Sequence, residues 1–117
     1  MSEAPRQYLE GVALFNQQKY FEAHEVWESV WMHSQGELRL FYQALIQAAA
    51  ALLHLRNGNR IGAENLLRLS KEKFAHVGVT LLGLNVQAFC KNISLFADGA
   101  TFDFENAPKI QLSVDPE

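Results

Sequence analysis

Between Leu40 and Leu55 the only clearly polar side chains are Gln43, Gln47 and His54, with Tyr42 amphipathic. A helix over this stretch is apolar almost all round. Such a helix belongs at the centre of a bundle, with neighbours on several sides. No other feature constrains the fold as tightly, and it points to an all-α domain.

The flanking segments supply the neighbours. Pro5 suits a first helical turn, and Tyr8, Leu9, Val12 and Phe15 recur at helical spacing, which predicts a helix from about Pro5 to Gln18. A second runs from about Tyr20 to His33, with Tyr20, Ala23, Trp27 and Trp31 on its apolar face and Gly36 as the stop signal after it. The central helix spans about Glu37 to Arg56. Asn57-Gly58-Asn59 reads as a turn, with Asn59 the N-cap of a fourth helix that reaches about His76. That helix carries the apolar set Ile61, Ala63, Leu66, Leu67 and Phe74, and a Glu64–Arg68 pair on its wet side. Gly78 ends it. Asn85 caps a fifth helix to about Ala97, with Val86, Phe89, Ile93 and Phe96 inward.

Residues Phe15 to Glu25 and Leu55 to Asn65 share a helix-end, turn, helix-start pattern, similar to the logic of tetratricopeptide repeats. Two units are too few for a solenoid. The expected architecture is a compact bundle of about five helices: two stacked helical hairpins plus a C-terminal helix, over residues 1–99. After Gly99, Phe102-Asp103-Phe104 and Ile110 to Val114 alternate with period two, so residues 100–117 are expected to form an extended tail or weak hairpin. Its apolar residues are expected to dock on the chain's own bundle or on a neighbouring subunit, the latter giving a homo-oligomer.

The 117 residues fit one domain, and a hydrophobic share of 49% is globular. The net charge of −3 argues against nucleic-acid binding. Cys90 is the only cysteine, which excludes an internal disulfide and suits a reducing cytoplasm. Met1-Ser2-Glu3-Ala4-Pro5 lacks a signal layout, and the longest apolar run, Ala44 to Leu55, falls short of the roughly 20 residues of a membrane span. No glycine-rich phosphate loop calls for a cofactor, and no Ser-His-Asp pattern nominates catalytic residues.

The polar stripe of the central helix is the candidate site. Gln43, Gln47 and His54 project within about 40° of one another. His24 and Glu28, four apart, lie on one side of helix two, with His24 among Tyr20, Trp27 and Trp31. If helices two and three run antiparallel, His24 falls level with Gln47 and Glu28 with Gln43. His54 is then displaced by about 10 Å from Gln47, towards Asn16 and Gln17. Three readings compete: a satisfied polar network that fixes helix packing, a small-ligand pocket lined by Trp27, Trp31 and Tyr42, and a metal or acid–base site on His24, Glu28 and His54. The displacement of His54 ranks a hydrogen-bonded helix clamp above a metal centre.

Tyr20-Phe21-Glu22-Ala23-His24-Glu25-Val26-Trp27-Glu28 with Trp31, then Phe41 to Gln47, then His54 to Asn59 and Gly62-Ala63, together resemble the family known as domain of unknown function 309. The resemblance covers roughly Phe15 to Phe74, with Gly83-Leu84-Asn85 a weaker later match. Members often have Gly where Ala44 stands here. The resemblance implies a compact helical fold and carries His24, Glu25, Glu28, Trp31, Gln43 and His54 as pattern positions. It implies no activity. The expected protein is therefore cytoplasmic and helical, with a ligand or metal site at His24, Glu28, Trp31, Gln43, Gln47 and His54. The alternative is a helical interaction or structural module without a catalytic site.

Overall fold

A computed structural model describes residues 5–99 and 101–113. Five helices follow one another: α1 (Arg6–Asn16), α2 (Tyr20–Trp31), α3 (Gly36–Arg56), α4 (Arg60–Phe74) and α5 (Val86–Ala97). Between α4 and α5 lies a short antiparallel hairpin of β1 (Thr80–Leu81) and β2 (Leu84–Asn85). Short turns join α1 to α2, α2 to α3 and α3 to α4, and each helix packs on the next. The chain is an all-α bundle of stacked hairpins.

The placement of α3 follows from its apolarity. Phe41, Tyr42, Ala44, Leu45, Ala48, Ala49, Ala51, Leu52 and Leu55 are all buried. By length and composition alone α3 is long and apolar enough to cross a membrane. Its packing between α2 and α4 accounts for that apolarity. Gly36 does not stop α2; it opens α3 with a φ of 63°, in the left-handed region that favours glycine.

α1 buries Tyr8, Gly11, Val12 and Phe15, and Leu9 faces outward. The expected inward set was wrong at this position because the Trp27 ring of α2 lies directly over Gly11, where a Cβ would overlap it. Ile61 of α4 is likewise exposed, and the buried polar residue of that helix is Ser70, whose hydroxyl donates to the Ala44 carbonyl at 2.7 Å. The α4 ion pairs are shifted from the expected Glu64–Arg68. Arg60 approaches Glu64 at 3.9 Å and Arg68 holds Glu72 at 2.9 Å, with Asn65 accepting from Arg68 at 2.7 Å. Asn59 and Asn85 both act as N-caps, accepting from Gly62 N at 2.9 Å and Ala88 N at 3.0 Å.

Among the described residues the tail forms no hairpin and is extended apart from one short turn. Asp103 caps a 3-10 turn at Phe104–Asn106, and this turn breaks the period-two alternation, so Phe102 packs inward while Phe104 stays exposed. Phe102 meets Phe96 and Tyr20, with ring centroids 5.0 and 6.2 Å apart. Ile110 joins the core, and Asn16 clasps its backbone from both sides: Nδ2 donates to the Ile110 carbonyl at 2.9 Å and Oδ1 accepts from its N–H at 2.7 Å. Ser113 N donates to the Gly83 carbonyl at 2.8 Å. Val114 lies outside the described residues.

Candidate functional site

Helical spacing places His24 and Glu28 on one edge of α2, with His24 Nε2 at 3.6 Å from Glu28 Oε2. The imidazole stacks on Phe21 one turn earlier, at 5.9 Å and 25° between planes. Phe21 itself is half exposed. A turn beyond Glu28, the half-buried Trp31 ring carries the Arg39 guanidinium 4.0 Å above its centroid. Arg39 also reaches the carbonyls of Trp31 and Ser34 at 3.3 and 3.4 Å, and so caps the end of α2 from the first turn of α3. Arg39 is a seam residue that the sequence did not single out. Its position four before Gln43 was the available signal.

α3 contributes the half-buried Gln43 and Gln47. The polar atoms along this α2–α3 seam are not paired as expected. His24 Nδ1, Trp31 Nε1 and Gln47 Oε1 are buried, and none has a hydrogen-bond partner among the described residues. The hydrogen-bonded clamp anticipated between His24 and Gln47 is therefore not closed. Elsewhere Trp27 Nε1 donates to the Tyr8 carbonyl at 3.2 Å and Ser70 to Ala44, while the buried hydroxyls of Tyr20 and Tyr42 are also without partners among the described residues. An unpaired buried donor or acceptor costs about 1–3 kcal/mol.

His54 is elsewhere. Because Asn59 Oδ1 accepts from Gly62 N, its amide is oriented with Nδ2 towards His54 Nδ1, at 3.2 Å. Nδ1 is thus the acceptor nitrogen in this arrangement, and His54 braces the α3–α4 turn. Asn16, the neighbour expected for it, is taken up by Ile110. Among the described residues no group of three or more His, Cys, Asp or Glu is placed to hold a metal ion, so His24 and Glu28 stand as a pair of donors only.

Two aromatic residues weighed as pocket walls belong to the core. Trp27 is fully buried, and Tyr42 is fully buried with its ring 6.0 Å from Tyr8 and 5.6 Å from Phe41. Burial pushes the Tyr42 hydroxyl up to about 12. Burial also raises the Cys90 thiol, with Lys71 opposing, which makes Cys90 a poor nucleophile.

Fold and seam together define a small helical-hairpin domain with an unsatisfied polar seam between its second and third helices. The family described as Domain of unknown function (DUF309) matches residues 8–66, and the chain belongs to that family. The matched span takes in most of α1, all of α2 and α3 and part of α4, and with them all six candidate residues. An uncharacterized protein of Aquifex aeolicus (strain VF5) is 24% identical over 107 residues, covering 88% of this chain and 31% of that protein. The chain thus spans about a third of that relative's length.

Proposed function

We propose that this chain is a cytoplasmic ligand-binding domain, and that the α2–α3 seam is where a small polar molecule binds. One observation carries the reading: of five buried polar atoms on α2 and α3 without partners among the described residues, three are His24 Nδ1, Trp31 Nε1 and Gln47 Oε1, the others being the Tyr20 and Tyr42 hydroxyls, whereas Trp27 Nε1 and the Ser70 hydroxyl are paired. Trp31 offers only a donor and Gln47 Oε1 only an acceptor. The matching ligand carries both a carbonyl-type acceptor and an N–H or O–H donor, as an amide does. Glu28 orients His24, and Gln43 borders the same line. His54 lies outside the seam, at the α3–α4 turn.

The test is native mass spectrometry of the protein purified without denaturation, beside indole N–H spectra of Trp31 with added acetamide. A retained small molecule or a saturable Trp31 shift, lost in Gln47→Leu, supports the site. No adduct and no shift rejects it. Adding zinc chloride and following the histidine imidazole resonances separates the metal version, which predicts shifts at His24 and none at the Trp31 indole.

A second reading rests on Phe21 of α2 and Met32 at its C-cap, exposed by 53% and 65%. They make this helix a candidate contact face for another protein or a second copy. Sedimentation of the purified chain with and without Phe21→Ser tests it: self-association lost in the variant favours a second copy, and an unchanged monomer counts against it.

A further inference from the structure

At the opposite end of α3 a pocket of 300 Å³ opens beneath the tail, lined by Leu55, Arg56, Gly58, Arg60, Thr101, Phe102 and Phe104. Among the described residues no carboxylate lines it, although the chain as a whole is acidic. Asp103 is turned into its own 3-10 turn, bonding Glu105 N and Asn106 Nδ2, and Glu64 approaches Arg60 at 3.9 Å.

Both arginines are held in place by backbone carbonyls. Arg56 donates to Gln18 O at 2.7 Å, and Arg60 donates to Ala97 O at 2.8 Å and to Gly99 O. The Arg56 guanidinium lies 5.2 Å from the Tyr20 ring centre. Its second terminal nitrogen makes no bond among the described residues, which leaves one edge of a fixed fork for an anion. The positive end of the α4 dipole falls at the same place, and Gly58, with φ of 84°, leaves open space over the turn. Tyr20 packs against both Phe102 and Arg56, and its fully buried hydroxyl is unpartnered. Phe104, exposed by 59%, presents an aromatic face beside these charges.

We propose that this pocket binds a small organic phosphate bearing a planar ring, of the nucleoside monophosphate class. Phosphate sits on Arg56 and the opening turn of α4, where guanidinium geometry and helix dipole act together. The ring stacks on Phe104. The volume is at the lower end of small-molecule sites and suits a mononucleotide better than anything larger.

The experiment is a titration of the full chain with adenosine 5′-monophosphate at low ionic strength, followed by backbone and arginine side-chain NMR. Inorganic phosphate and adenosine are run separately. The expected result is saturable shifts at Arg56, Gly58 and Thr101, binding about tenfold weaker in Phe104→Ala, and loss of binding in Arg56→Gln. Phe104→Ala alters an exposed ring, so it remains informative even where Arg56→Gln fails to fold. The proposal is overturned if the monophosphate gives no saturable shift. It is overturned equally if inorganic phosphate or adenosine alone binds as tightly as the whole molecule.

Discussion

The indole N–H of Trp27 donates to the carbonyl of Tyr8 at 3.2 Å, across the space left by Gly11. This contact locks α1 on α2. It accounts at once for a glycine inside a helix, for a fully buried tryptophan with no unmet donor, and for the rotation that turns Leu9 outward. Gly11→Ala is therefore expected to overpack the joint and destabilise the fold by about 1–3 kcal/mol, read from the urea midpoint. Unchanged stability would show that the indole moves aside freely.

Gln47 offers the opposite case. Its buried side-chain oxygen has no partner, so Gln47→Leu removes an unmet acceptor at similar volume. The variant is expected to be about 1 kcal/mol more stable than the parent in the absence of ligand. A clear loss of stability in thermal melts would mean that the oxygen is satisfied in the free protein, and the seam would then be structural.

The chain's tyrosines make its alkaline limit predictable. Burial pushes the Tyr20 hydroxyl up to about 12, with Arg56 opposing, and raises Tyr42 likewise to about 12. Tyr8 is raised still further, by burial first and Tyr42 second. The unfolded chain releases these protons at the ordinary value of 10.0, whereas the fold retains them. Their contribution is complete below that pH and is lost as pH rises towards the folded values near 12. Phenolate absorbance should thus appear together with loss of helical circular dichroism. A tyrosine titrating normally in an intact helical protein would contradict the burial described.

Asn16 ties the tail to α1 through two hydrogen bonds with Ile110. Asn16→Ala is expected to cost about 1–3 kcal/mol and to speed hydrogen exchange at the Ile110 amide, while α1 to α4 keep their protection. Equal exchange at Ile110 in both proteins would show that burial of its side chain alone holds the tail.

The legible parts of the molecule are those governed by near neighbours in the chain. The central place of α3 follows from apolar residues on nearly every side of it. The caps at Asn59 and Asn85 follow from an amide oxygen meeting an N–H three residues on. The β1–β2 hairpin was not legible. Its turn is Leu82-Gly83, with φ of 49° and 81°, and a leucine there gives no turn signal. Tyr8, which donates to the Leu82 carbonyl at 3.1 Å, and Ser113, which donates to Gly83, hold that turn from distant parts of the chain.

The candidate site divides along the same line. Helical periodicity by itself determined that His24 and Glu28 share an edge of α2, and that Gln43, Gln47 and His54 share a stripe of α3, because a side chain's direction on a helix depends only on residue spacing. Which of these groups find partners was decided by the tertiary structure. Hydrogen bonds form or fail over a few tenths of an ångström, and helix separation and the α3–α4 turn set those distances. The turn gives His54 to Asn59, while His24 Nδ1 and Gln47 Oε1 are buried without partners among the described residues.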